Sequence, residues 1–382
     1  MPIEITGIMS HHVSNEDMVL PPKVFDKAVL RSHAQAHEQA GFDRVLIAQS
    51  SYWPDSMPVA AYMAGVTERL GFMVAHRPGF VSPTMAARQF ATLDHLSEGR
   101  AAIHIITAAN DRETQCDGDF LTKEERYHRS REFVEVLRRM WAAKEPVTHE
   151  GRFYRFNESL PEIGPYERSA IPVYWAGGSP VSIQYAGECA DIYAVGMESL
   201  ADTGAAIERI RASAAEAGRT IAAQGTVRYI LGRTEGEAWD NAREILRKFV
   251  ANGEERLKLT GNSWFQPGGR TEKDFSNAAG ISNEDRFGAL TGSDSVLDER
   301  LWIGPQRQGI PMAPSLVGTP EQVTEAIMRY YDLGMTGVLF RGFDLYEDAL
   351  RAGDELIPRL KVAALDRDAA AVRQIAGEPQ HA

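Results

Sequence analysis

The run "YWAGGSPVSIQ" (174–184) breaks an apolar stretch with two glycines, a serine and a proline just before a helical pattern begins. Gly177 and Gly178 let a ligand approach the backbone closely, Ser179 is a good N-cap, and Pro180 suits the first helical position. The unpaired N–H groups of such a helix start favour an anion, phosphate above all. An ordinary strand-to-helix turn has the same signature, so this stretch alone leaves both readings open. A second stretch, "TVRYILGR" (226–233), alternates so that Thr226, Arg228 and Ile230 share one face. If that face lines the inside of a barrel, Arg228 needs an anionic partner, because a lone buried charge is costly. An internal carboxylate or a bound anion would serve. Cys116 and Cys189 have no CxxC partner and are too few for a disulfide framework, so no metal or redox role is expected of them.

These residues belong to a chain of 382 residues that is 43% apolar and 25% charged, the balance of an ordinary globular protein. A net charge of −12 argues against nucleic acid or an anionic membrane surface as a partner. There is no run of about 18 apolar residues and no signal-peptide pattern, which predicts a cytoplasmic protein.

Short apolar runs alternate with amphipathic helical patterns through most of the length. Eight runs read as strands: "EITGIMS" (4–10), "RVLIAQS" (44–50), "LGFMVAH" (70–76), "RAAIHIIT" (100–107), "VYWAG" (173–177), "DIYAVG" (191–196), "TVRYILGR" (226–233) and "GVLFRG" (337–342). The helices between them have marked starts: Ser82-Pro83 and Thr319-Pro320 are cap-plus-proline pairs, and Thr122 with Glu125 forms a capping box. Strand–helix alternation repeated eight times predicts an α/β fold, a (β/α)8 TIM barrel, with a doubly wound sheet as the alternative. One domain is expected over residues 1–365, with a C-terminal tail at 366–382. Two segments interrupt the alternation. Residues 145–171, with "THEGRFYRF", read as a small hairpin or an extended excursion. Residues 251–316, rich in Gly, Ser, Asn and Asp, read as a lid-like insertion after the seventh strand, at the end of the barrel where active sites of this fold lie.

The run "PTMAARQFATLDHLSEGRAAIHIITAAN" (83–110) resembles the bacterial-luciferase-like flavin monooxygenases, in particular the alkanesulfonate monooxygenase and pyrimidine oxygenase branch. "ERYHRSREFVEVLRRMW", "GRFYRF", "AGGS", "LVGTPEQV" and "AGDELIPRL" follow in the same order, so the resemblance covers nearly the whole chain. It implies a TIM barrel, reduced FMN (FMNH2) supplied by a separate NAD(P)H-dependent FMN reductase, O2 as co-substrate, and a dimer or tetramer.

Carried over position by position, the resemblance implies that the flavin ring lies against Gln49 and Ser50. It implies further cofactor contacts at Thr107, Glu113, Arg126 and Tyr127, and at Ser179 for the phosphate, with Gly177 and Gly178 completing the cradle. A forked guanidinium, a phenol and a helix start all suit phosphate oxygens. The resemblance also implies a non-prolyl cis peptide after Ala75. On the fourth strand His104 stands where the family usually has Asn, and an imidazole can still donate to a flavin carbonyl.

The substrate side departs from the branch. Trp53 replaces a cysteine, Arg228 stands in a histidine's place and Phe343 replaces a tyrosine, whereas His11 matches the first-strand histidine and His12 beside it is extra. A lid arginine has only approximate counterparts, Arg307 or Arg270. His11, Trp53, Arg228 and Arg341 are therefore the candidate substrate and catalytic residues, with His11 able to move a proton near neutral pH. The expected reaction is oxidative cleavage of the C–S bond of an organosulfonate, releasing sulfite and a carbonyl product. The alternatives are oxygenation of a C–N or ring amide bond or of a sulfone, and a deazaflavin-dependent dehydrogenase.

Overall fold

The computed structural model describes residues 3–13, 25–108, 111–260, 295–307 and 313–376. In chain order the first strands are β1 (Glu4–Ile8), β2 (Arg44–Ile47), β3 (Gly71–His76) and β4 (Ala101–Ile105). A separate antiparallel hairpin follows, β5 (Val147–Glu150) with β6 (Arg155–Ser159), the first of the two readings of that segment. Then come β7 (Val173–Ala176), β8 (Ile192–Gly196), β9 (Ala222–Leu231), β10 (Val296–Leu297), β11 (Leu301–Trp302), β12 (Ser315–Gly318) and β13 (Gly337–Arg341). The eight strands expected from the sequence, β1–β4, β7–β9 and β13, pair in parallel and close on themselves. Gly196 of β8 lies opposite Thr226, Arg228 of β9 opposite Arg341, and Gly337 of β13 opposite Glu4. Closure makes this a TIM barrel and excludes the doubly wound sheet.

The helices are α1 (Lys27–Gln39), α2 (Ser56–Ala64), α3 (Pro83–Leu96), α4 (Asp111–Cys116), α5 (Lys123–Ala142), α6 (Pro180–Cys189), α7 (Leu200–Glu216), α8 (Glu235–Thr260), α9 (Gly304–Arg307), α10 (Pro320–Asp332), α11 (Glu347–Glu355) and α12 (Ile357–Ala376). None of those described is long and apolar enough to cross a membrane. Their starts follow the sequence signals. Thr122 and Glu125 bond reciprocally at 3.3 and 3.0 Å, and Thr319 with Gln322 does the same at 3.4 and 2.9 Å. Such caps satisfy N–H groups that the helix itself leaves unpaired.

Strand lengths differ from the pattern at the ends that matter. β1 stops at Ile8, β2 at Ile47 and β4 at Ile105, two or three residues early. Beyond the barrel rim the chain has no neighbouring strand to pair with, and Ser10, Gln49, Ser50 and Thr107 leave the sheet as loop residues. β9 is longer than expected because two sets of neighbours support it. Its first half pairs with β8 and β13, and its second half with β12, where Ser315 lies opposite Arg228.

β12 lies outside the eight strands that the sequence predicts, and its first two residues belong to the predicted insertion at 251–316. Residues 251–260 continue α8, and β10–β12 extend the sheet beside β9. The parts of that insertion at 261–294 and 308–312, including Arg270, lie outside the described residues. The expected tail is helical through residue 376, where Arg367 pairs with Glu325 and Asp332 at 2.9 and 2.7 Å.

The barrel interior is filled. Met73, Ala102, Tyr174 and Leu339 form its apolar layer, with Leu46 and Ile192 against it. Toward the N-terminal end, the Tyr174 hydroxyl donates to Glu4 Oε1 at 2.6 Å and Gln224 Nε2 donates to Thr6 Oγ1 at 2.8 Å. With that layer packed, the C-terminal rim is where a ligand can be held.

Candidate active site

The "AGGSP" turn, where the sequence predicts a phosphate cradle, joins the end of β7 to the start of α6. Gly177 has φ +126°, a conformation that a residue with a Cβ rarely adopts. A Cβ there would stand 2.3 Å from the Tyr127 hydroxyl and 2.5 Å from Ser182 Oγ, whereas a Cβ on Gly178 would meet nothing within 4 Å. One glycine thus lets a tyrosine reach the turn, and the other leaves open space above it. The Tyr193 hydroxyl anchors the turn by donating to the Gly177 carbonyl at 2.6 Å. Ser182 Oγ, donating to the Ala176 carbonyl at 3.1 Å and accepting from Trp175 Nε1 at 3.0 Å, closes it from below. Ser179 caps α6 loosely, accepting from Ser182 N at 3.4 Å. Tyr127, Gly177, Gly178 and Ser179 therefore come together, and a helix start, a phenol and open space fit a phosphate.

Arg126 and Tyr127 are both buried, which rules out a solvated helix face. Being consecutive on a helix, they diverge. Arg126 turns to the exit of β4, where Nε donates to the Thr107 carbonyl at 2.8 Å and Nη1 donates to the Leu121 carbonyl at 2.6 Å and to Asp111 at 2.9 Å. Its buried Nη2 has no partner among the described residues, and this is the group left to meet a ligand. Ala108, just past Thr107, holds φ +61°, the left-handed region.

At the exits of β3 and β4, the peptide after Ala75 is trans, which corrects the cis bond implied by the resemblance. The Ala75 carbonyl and Gln49 Oε1 lie 2.9 and 2.8 Å from Ser56 Oγ. One hydroxyl proton cannot serve two acceptors at once, so the pair is fully satisfied when the Gln49 amide turns its NH2 toward Oγ. Ser50 Oγ accepts from the Tyr52 N–H at 3.4 Å. His104 faces Ala75 and Tyr174 in register. It is buried, its Nδ1 lacks a partner among the described residues, and burial pushes its pKa down to about 4. It is a neutral imidazole at pH 7.

Glu113 is engaged within the protein. Its Oε1 accepts from Arg77 Nη2 at 2.6 Å and from the Ser51 N–H at 3.3 Å. Arg77 was not singled out from the sequence. The available signal was a cation in "VAHRP", immediately past an apolar strand.

On the substrate side, His11 lies beyond β1 with ring centroids 4.6 Å from His12 and 6.0 Å from Trp53. Burial, and then the neighbouring His12, lower its pKa to about 4. His11 is therefore a neutral imidazole at pH 7, with one N–H and one lone pair. Trp53 is 43% exposed, an apolar wall open to a ligand. Arg228 is buried, donates Nη1 to the Gly342 carbonyl at 3.2 Å and stacks 4.4 Å over the Phe343 ring. Gln224, two turns of the alternation earlier, reaches the barrel interior, so Arg228 shares that inner face. Leu339 is interior, so Arg341 is too, and Arg341 is the register partner of Arg228. The side chain of Arg307 lies outside the described residues.

The sequence model of the family described as luciferase-like monooxygenase matches residues 7–337. Among solved structures, riboflavin lyase (RcaE), determined with modified FMN and riboflavin, is similar over 95% of this chain and 92% of its own, at 19% identity and TM-score 0.74. DmoA from Hyphomicrobium sulfonivorans is similar over 100% of this chain and 90% of its own, at 20% identity and TM-score 0.70. The coenzyme F420 dependent tetrahydromethanopterin reductase from Methanopyrus kandleri is similar over 94% of this chain and all of its own, 100%, at 20% identity and TM-score 0.65. At such identities these structures speak for the shared fold, while the family match carries the assignment: the chain belongs to the luciferase-like monooxygenases, a family of flavin-dependent enzymes.

Proposed function

We propose that this chain is the oxygenase half of a two-component system in the alkanesulfonate branch. It takes reduced FMN from a separate NAD(P)H-dependent reductase and uses O2 to oxidise a small organic anion, an organosulfonate first. The observation that carries the substrate class is the register pair Arg228 and Arg341 on the inner face at the rim. Both also have partners within the protein, and a guanidinium carries five N–H donors, so each can bind an anion in addition to those contacts; a sulfonate is ionised at any cellular pH and matches planar guanidinium donors. The FMN reading is supported by the close approach of Tyr127 to Gly177 and by Arg126 Nη2, which has no partner among the described residues.

Reduced FMN, when bound, would supply two electrons and leave as oxidised FMN, with O2 as the oxidant. In the balanced conversion an alkanesulfonate loses its C–S bond; one oxygen atom ends in the new carbonyl, the other in water, and the sulfur leaves as sulfite. The cradle at Gly177–Ser179 and Tyr127 binds the phosphate. Gln49, Ser50 and neutral His104 meet the ring, with His104 offering one N–H and one lone pair. Arg228 and Arg341 hold the sulfonate, Trp53 covers its apolar part, and neutral His11 accepts the proton lost from the carbon that becomes the carbonyl.

Sulfite release from a panel of sulfonates, with reduced FMN supplied chemically and O2 present, tests this directly. Oxidised product without sulfite would move the assignment to a C–N, ring amide or sulfone substrate. Turnover with reduced F420 and no requirement for O2 would replace it with the dehydrogenase.

A further inference from the structure

We propose that Arg77 is a positioning residue that joins the loop after β2 to α4, so that Gln49, Ser50 and Glu113 present one preformed wall to the ring end of the flavin. The inference rests on the flavin reading above and adds a residue that neither the resemblance nor the family match assigns.

Arg77 follows β3 directly and is buried. Burying a guanidinium is costly unless carboxylates and hydrogen-bond acceptors surround it. Here Glu113 lies at 2.6 Å, Asp117 at 3.5 Å and Ser51 Oγ at 2.9 Å. The Phe80 ring covers the guanidinium, its centroid 5.6 Å away. Ser51 is satisfied without ambiguity. Its hydroxyl donates to the Glu113 carbonyl at 2.8 Å, its lone pair accepts from Arg77, and its N–H donates to Glu113 Oε1 at 3.3 Å. Arg77, Ser51 and Glu113 thus form a closed triangle across segments 62 residues apart in sequence.

The triangle is continuous with the ring-side residues. Ser51 adjoins Ser50, and Gln49 shares Ser56 Oγ with the Ala75 carbonyl, two residues before Arg77. The exits of β2 and β3 and the helix α4 therefore move as one unit, with Arg77 as the joint. A planar fork that reaches Ser51 and Glu113 at once suits this role; an ammonium does not. The phosphate cradle stands elsewhere, at β7 and α6 on Tyr127, Gly177 and Ser182.

The two ends of the flavin separate the proposal from a general loss of stability. Anaerobic fluorescence titrations with reduced riboflavin and reduced FMN are compared for the wild type, Arg77→Met, Arg77→Lys and Tyr127→Phe. Arg77→Met is expected to weaken both flavins by the same factor, about tenfold to a hundredfold, the scale for losing a partner that orients a ligand-contacting group. Arg77→Lys recovers only part of the loss, and Tyr127→Phe weakens FMN alone. Unchanged affinity in Arg77→Met, or a loss confined to FMN, overturns the proposal. Hydrogen exchange at the Ser51 amide, measured without flavin, reads the joint itself: faster exchange in Arg77→Met upholds it and equal exchange overturns it. If the wild type binds neither flavin, the flavin reading fails, and the Ser51 exchange alone decides whether Arg77 joins the two segments.

Discussion

The Tyr127 hydroxyl stands where a Cβ on Gly177 would have to go, 2.3 Å from that position. The contact ties the second turn of α5 to the β7–α6 turn and makes the glycine a requirement of that turn. Gly177→Ala is therefore expected to lose stability, by about 1–3 kcal/mol for a forced backbone conformation, and to lose FMN binding. Thermal melting and a flavin titration check this; a variant that melts and binds like the wild type would remove the cradle. Tyr127→Phe keeps the ring and its stacking on Trp175, and should lower FMN affinity by roughly 1.5–3 kcal/mol, the worth of a hydrogen bond to a charged group.

Arg228 and Arg341 are expected to act on the substrate and not on the flavin. Arg228→Met keeps much of the volume and should cost roughly 1.5–3 kcal/mol in sulfonate binding, with FMN affinity intact. Arg341→Met should do the same, and the double variant should lose less than the sum, because both hold one anion. Near-normal kcat/KM for the true substrate in either single variant sinks the assignment.

Stability should fall as pH drops below neutrality. Burial lowers the pKa of His37, His76 and His104 to about 4, from an ordinary value of 6.5. Between those values the unfolded chain binds protons that the folded one does not, so the stability held above pH 6.5 is lost progressively toward pH 4. Each residue contributes on the order of 1–2 kcal/mol between pH 7 and pH 5. His76, packed between Phe90 and Phe133 with Nε2 unpartnered among the described residues, offers the clean test. His76→Phe should narrow the difference between denaturation curves at pH 7 and pH 5 by that amount, and an equal difference would show that His76 is not a source of acid sensitivity.

Ala108 holds φ +61°, in the left-handed region. An L-residue in that region costs about 1–2 kcal/mol, and glycine returns part of the gain as unfolded-state entropy, roughly 0.5–1 kcal/mol. Ala108→Gly should therefore stabilise the protein by about 0.5 kcal/mol, read as a higher midpoint in denaturant. A lower midpoint would mean that the Ala108 methyl makes contacts worth more than the strain.

What could be read from the sequence was local. Eight apolar runs fell on the eight barrel strands because a strand buried on both faces must be apolar over a short span, as in β3 and β4, where every residue is buried. The starts of α3, α5, α6 and α10 were readable because a cap bonds to N–H groups two or three residues away. The β7–α6 turn was readable for the same reason: two glycines, a cap and a proline in a row carry their own geometry.

Everything that depends on distant partners was decided by the tertiary structure. Arg77 shares Glu113 with Ser51 across 62 positions, and no spacing rule announces it. β12 joins the sheet because β9 runs past the barrel rim and leaves an edge to pair. Arg228 and Arg341 lie side by side only through the register of the closing strands. His11 and His104 are neutral because the folded chain removes them from water, a property that residue type alone does not contain.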